Sequence, residues 1–180
     1  MGHVPSEVAP DLRSRSYEIT AHINPSGTAG NSDGVLIAHG DATCGYSLYV
    51  RDRHLVHDLN IGGTHQLVTS TSPIPADTTT LGFRMRRSGE GPFPHGVGTL
   101  LIDGEPAGEM ETDQIFWLMI SWSGLDIGLD RGTTVADYDG TGRHLGPNTY
   151  QGDLVRVTVD LLAAQDVDHA AAGATELGRE

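Results

Sequence analysis

Glu109 and Glu111 stand two residues apart, with Asp113 two further on, in a stretch whose alternation with Met110 and Thr112 has the period of a β-strand. A strand rises about 3.3 Å per residue, so carboxylates at i and i+2 share one face about 6.5 to 7 Å apart. That spacing suits the acid, water and base of an inverting glycosidase, which needs roughly 6.5 to 9.5 Å between its carboxyl groups. The same alternation places Met110 on the opposite face, the side a core residue would take. Glu109 and Glu111 therefore read first as a solvated strand face, and a jelly-roll glycoside hydrolase is the alternative.

A second acidic group, Asp126, Asp130, Asp137 and Asp139, is interspersed with Gly128, Gly132 and Gly140. Calcium takes roughly six to eight oxygen ligands, so one calcium site at these residues is a physically reasonable cofactor expectation. It would not be an EF-hand: a loop begun at Asp137 has Asp139 at its third position but Asn148 where a bidentate glutamate is required. Aspartates that cap their own turns are the preferred reading. Trp117, Trp122, Tyr138 and Tyr150 are the candidate ligand-binding residues, because an aromatic ring offers a flat apolar face that stacks on a sugar while its polar edge stays wet. Core packing is the competing use of the same rings. His54 and His57, three apart in an extended segment, point to opposite faces, and His22, His39, His65, His95 and His144 fall singly, so no zinc or iron site is expected. There is no Gly-x-Ser-x-Gly string, and Ser47 alternates within a strand instead of standing at a strand-to-helix elbow. No catalytic residue is assigned.

The 180-residue chain that must position these groups is one domain in length, with 37% hydrophobic and 19% charged residues and 24 glycines, a folded and turn-rich composition. Its net charge is −13, all its basic residues are arginine, and only Arg84, Arg86 and Arg87 cluster, which argues against nucleic acid as a partner. The lack of lysine excludes a phosphate-binding loop of the Gly-rich, lysine-ending type. The sequence has no apolar run of membrane-spanning length and no leader-type N-terminus, giving the expectation of a soluble, cytoplasmic protein with no membrane partner. A single cysteine, Cys44, excludes an intramolecular disulfide.

Residues 1–16, with Pro5 and Pro10 and no apolar period, read as an extended lead-in over the surface. From Tyr17 the period is two: Tyr17, Ile19, Ala21 and Ile23 share one side, as do Tyr46, Leu48 and Val50, then Leu81, Phe83 and Met85, then Val155, Val157, Val159 and Leu161. These are expected to be half-buried strands. Asp103-Gly104 supplies the two positive-φ residues of a type I′ hairpin. About ten or eleven strands in residues 17–162 imply an all-β, two-sheet antiparallel β-sandwich, since one open sheet of that width would leave an apolar face uncovered. The small-residue segment from Leu161 to Ala172 is the only helical candidate, and residues 163–180 are expected to form a flexible Ala-rich tail.

Gly34 to Gly40, Gly45 to Asp52 and Leu55 to Asn60, read in order, resemble a jelly roll of laminin-G or concanavalin type. More closely, Val4-Pro5-Ser6-Glu7 with Arg15-Ser16-Tyr17, the strand Tyr46-Ser47-Leu48-Tyr49-Val50, the segment Gly124 to Gly132 and the closing Gly152 to Leu161 resemble the C-terminal region of large bacterial arylsulfatases, over Val4 to Leu162. In that family the chemistry lies in an upstream domain, at a formylglycine made from a Cys/Ser-x-Pro/Ala-x-Arg motif. Cys44 is followed by Gly45-Tyr46-Ser47-Leu48, so neither the proline nor the arginine is present. The resemblance thus implies a non-catalytic accessory β-sandwich that packs on a sulfatase catalytic domain or forms a homo-oligomer. A glycan-binding, lectin-like module is the alternative, with carbohydrate as its partner, and the acidic balance disfavours sulfated polyanions.

Overall fold

A computed structural model describes residues 2–25, 32–89, 94–117 and 121–162. Among the described residues, eleven strands form two antiparallel sheets: β1 (Gly2–Val4), β2 (Tyr17–Ile23), β3 (Gly34–Gly40), β4 (Cys44–Arg51), β5 (His54–Ile61), β6 (Thr64–Thr69), β7 (Thr80–Ser88), β8 (His95–Ile102), β9 (Glu105–Thr112), β10 (Leu125–Ile127) and β11 (Leu154–Leu161). The six-stranded sheet has the order β1-β10-β3-β4-β5-β6 and the five-stranded sheet the order β11-β2-β7-β8-β9. This is the two-sheet β-sandwich that the alternation of apolar residues implies. The proposed tail at 163–180, and all but the first two residues of the helical candidate, lie outside the described residues.

The hairpins show how local chemistry sets the register. Asp103 and Gly104 adopt φ of 50° and 82°, the left-handed pair of a type I′ turn, and Ile102 pairs with Glu105. The same two-residue geometry joins β4 to β5 through Asp52 and Arg53, with φ of 51° and 66° and Arg51 opposite His54. Neither of those residues is glycine, so the turn is imposed by the strands it connects, and the residue types do not announce it.

Between the sheets lies one core. Tyr17, Ile19, Ala21 and Ile23 of β2 and Leu81, Phe83 and Met85 of β7 meet Leu48, Val50, Leu55 and Leu59 of the six-stranded sheet. Gly98 on β8 makes room for Phe83: a Cβ there would stand 2.6 Å from the ring's Cζ. The lead-in expected at 1–16 does more than lie on the surface, since it supplies the edge strand β1 and the core residue Leu12, 1% exposed.

Two expectations about strand faces change. β4, expected from its alternation to be half-buried, is buried on both faces from Gly45 to Val50, and so is β5 from Leu55 to Asn60. The cause is the chain between β10 and β11, which folds over the outer face of the six-stranded sheet and packs Val135, Ala136 and Tyr138 on Val35, Ala38, Tyr49 and Val56. In β11, a register shift between Leu154 and Arg156 leaves Val155 57% exposed, while Val157 and Val159 pack on the core.

Candidate ligand-binding site

Three segments distant in sequence meet at one rim of the sandwich: the lead-in after β1, the end of β3, and the turn before β10. Ser6 joins them. Its hydroxyl donates to the Ser121 carbonyl at 2.6 Å and accepts from the Gly124 amide at 3.1 Å. A hydroxyl has one proton, and that proton goes to Ser121. The His39 Nε2, 3.1 Å from the same oxygen, therefore serves as a donor to Ser6. Burial pushes the His39 imidazole down to about 4, so it is neutral near pH 7. Ser6 and His39 hold the rim together; they do not form a nucleophile and its base, because the base would have to accept the proton that Ser121 receives.

Asp41, one residue beyond β3, ties the same turn down. One carboxylate oxygen accepts from the Thr43 amide at 2.8 Å and from its hydroxyl, while the other accepts from the Ser121 hydroxyl at 2.6 Å and the Ser123 hydroxyl at 3.2 Å. Burial raises the carboxyl, but donors led by the Ser121 and Thr43 hydroxyls outweigh it and hold the group down at about 2. Between Ser121 and Ser123 stands Trp122, 74% exposed. It borders a cleft of about 270 Å³ whose walls include Glu7, Pro10, Asp11 and Arg13. Asp11 and Arg13 face each other through two parallel bonds, Nε to Oδ1 at 2.8 Å and Nη2 to Oδ2 at 3.0 Å, so the arginine charge is already matched within the wall.

The other sequence-named aromatics are dispersed. Trp117 is 38% exposed and lies next to Phe116, whose carbonyl accepts from the Ser14 amide at 2.6 Å. Tyr138 packs edge-on against Tyr49 with ring centroids 4.9 Å apart and borders a separate cleft of about 220 Å³. Tyr150, 5% exposed, belongs to the main core. The four are therefore not one binding platform.

The acidic group is likewise divided. Asp126 meets the His3 Nδ1 at 2.8 Å and the Arg131 Nε at 2.9 Å. Asp130 accepts from the Val135 amide at 2.9 Å and the Tyr138 hydroxyl at 2.7 Å; burial pushes its carboxyl up to about 6. Asp139 caps its turn through the Thr141 amide at 3.0 Å, and Asp137 accepts from the Gly142 amide at 2.8 Å. Among the described residues, no group of three or more His, Cys, Asp or Glu side chains is placed to share a metal ion. Glu109 and Glu111 are exposed on β9, with Met110 packed toward the core between them, and neither borders the cleft at Trp122.

Sequence reasoning missed the partners that Trp122 has across the rim. Ser6, His39 and Asp41 are ordinary residues in ordinary segments, and only the return of β10 between β1 and β3 brings them together. It missed the outer-face histidines as well. His65 Nδ1 stands 2.7 Å from the buried Asp58 carboxylate, and the rings of His65 and His144 have centroids 5.8 Å apart.

No protein-family model matches this chain, and no curated protein matches it. Solved structures do. Domains LG4-5 of the mouse laminin α1 chain are similar over 91% of this chain with a TM-score of 0.54 at 10% identity, and the LG1-3 region of the laminin α2 chain over 91% with a TM-score of 0.52 at 11% identity. The chain spans 40% and 32% of those structures, respectively. At that identity the likeness is one of fold, and the fold is a laminin G-like jelly roll.

Proposed function

We propose that the chain is a binding module whose rim cleft receives the end of a neutral glycan stacked on Trp122. The observation that carries this reading is the tryptophan itself: a large ring 74% exposed, on a turn whose flanking serines are both bonded to Asp41, at the lip of a cleft lined by both apolar and polar residues. Stacking supplies the apolar contact, and Glu7 supplies a carboxylate for sugar hydroxyls. The cleft is smaller than the roughly 300 to 1,000 Å³ of drug-sized pockets, which favours a terminal sugar over a long buried chain. Arg13 is matched by Asp11 and the net charge is −13, so a sulfated polyanion is the poorer ligand. Retention on columns of immobilised neutral oligosaccharides tests the reading. Trp122→Ala is expected to abolish retention with the melting temperature nearly unchanged, while Trp117→Ala retains it. Undiminished retention of Trp122→Ala, or no retention of the unaltered chain on any such column, would refute it.

A second reading is favoured by β11. It is an edge strand, and Val155 and Leu161 are 57% and 44% exposed on it. In this reading the module is an accessory domain that docks a neighbouring domain or a second copy along that edge. An arylsulfatase catalytic domain as the neighbour rests on the sequence resemblance alone. Val155→Asp would weaken such docking and leave sugar retention untouched.

A further inference from the structure

We propose that His65 and His144 together form a binding site for a late first-row divalent metal ion such as zinc, with both Nε2 atoms as ligands and water completing the shell. His65 lies on the edge strand β6, and His144 lies in the segment that folds over the outer face of the same sheet. Each ring is oriented by a bond at its other nitrogen. The Nδ1 of His65 is 2.7 Å from Oδ2 of Asp58, whose side chain is 2% exposed, and the Nδ1 of His144 is 3.1 Å from the Thr134 carbonyl. A carbonyl only accepts, and a carboxylate accepts here too, so both Nδ1 atoms carry the proton and both Nε2 atoms hold a free lone pair. Neither Nε2 has a hydrogen-bond partner among the described residues. Carboxylate and carbonyl acceptors behind the ring are the arrangement that fixes metal-binding imidazoles in their tautomer and raises their basicity.

The ring separation agrees. An ion about 2.0 to 2.1 Å from each Nε2 places two imidazole centroids about 5 to 6 Å apart, and here they are 5.8 Å apart with their planes inclined by 32°. The site is open, since the His65 side chain is 26% exposed and His144 is half-buried, so an ion can enter without unfolding the cover. His144 also holds a left-handed backbone, φ 43°, rare for a residue with a side chain, and that conformation carries its Nδ1 to the Thr134 carbonyl within a turn closed by the Thr134 amide on the His144 carbonyl at 3.0 Å. Two imidazoles and water suit zinc, nickel or copper better than calcium, which prefers oxygen.

Calorimetric titration of the full chain with zinc chloride at neutral pH tests the proposal. The expected result is one site, with affinity reduced at least tenfold in His65→Gln and in His144→Gln, and unchanged in His95→Gln, an exposed histidine on β8. Asp58→Asn, which leaves both ligand histidines in place, is expected to weaken binding by about tenfold through the His65 tautomer. Nitrogen-15 NMR of the unaltered protein gives a readout independent of any variant's folding: zinc should shift the Nε2 resonances of His65 and His144 and leave those of His39 and His57 in place. No zinc binding by the unaltered chain, zinc affinity in either glutamine variant equal to that of the unaltered chain, or zinc-induced shifts confined to other histidines, would overturn the proposal.

Discussion

The two faces of the six-stranded sheet are held by different physics, and two neighbouring residues of β5 show it. His57 points inward and stacks on Phe83 with centroids 3.4 Å apart and planes 4° from parallel; it is fully buried, and neither ring nitrogen has a hydrogen-bond partner. Asp58 points outward, is also buried, and has one oxygen, Oδ2, on His65 at 2.7 Å, while Oδ1 has no partner among the described residues. The inner face is thus a dispersion-packed core, in which His57 has no polar partner at either nitrogen among the described residues. On the outer face a small apolar patch is secured by directed bonds: Asp130 to Val135 and Tyr138, and the Asn60 side-chain amide to the Ala42 carbonyl at 3.0 Å and the Val135 carbonyl at 3.3 Å. Adhesion of the cover therefore depends on geometry and protonation, whereas adhesion of the two sheets depends on volume.

The largest effect expected from this contrast is on the inner side. Phe83→Ala removes the ring beneath His57 and should cost about 3 to 5 kcal/mol in denaturant-induced unfolding. A loss below about 1 kcal/mol would mean that the sheets are not joined by that packing.

Acid titration separates the faces by sign. Burial depresses His57 to about 3 and His39 to about 4, below the value of about 6.5 for an unfolded histidine. The unfolded chain then binds the extra protons, so their contribution is present above pH 6.5 and is lost as pH falls toward 4, by about 1.4 kcal/mol per pH unit for each histidine. Asp130 runs the other way. Burial raises it to about 6, so between about pH 4 and 6 the folded chain holds a proton that the unfolded chain has released, and stability is lost as pH rises through that window. Stability measured from pH 4 to 6.5 should lose one histidine's slope in His57→Leu and gain one carboxyl's slope in Asp130→Asn. Identical pH profiles for the two variants would break the comparison.

Smaller changes address the cover alone. At pH 7, Asp130→Ala strands the buried Val135 amide and should cost about 1 to 3 kcal/mol. Tyr138→Phe removes a single bond to the same carboxylate and should cost about 1 kcal/mol, read as faster hydrogen exchange at Val135 and Ala136 than in the strands of the five-stranded sheet. Uniform acceleration across both sheets would show that cover and core unfold as one unit.

What was legible in the sequence follows the same division. Alternation in Tyr17–Ile23 and the Asp103-Gly104 dipeptide report local backbone preference and one buried face, so the sandwich and its clearest hairpin can be read from them. The outer face cannot. That β4 and β5 would be buried twice depends on the segment that follows β10, and alternation does not record a cover supplied from elsewhere in the chain. The ring pair of His65 and His144 unites a strand position with a loop position, which no sequence period connects. At the rim, Trp122 is visible as a residue type, but its exposure is set by the Ser121 and Ser123 bonds to Asp41.

Those two bonds bear on the kinetics of recognition. A loop that must find its shape as it meets a ligand loses backbone freedom at that moment, and the loss slows capture and weakens the complex. With Asp41 holding the side-chain hydroxyls of the residues on both sides of Trp122, that ordering takes place when the domain folds. For the glycan proposed above, only the indole's side-chain rotation would then be left to arrest, and the association rate would be set by encounter and orientation rather than by loop closure.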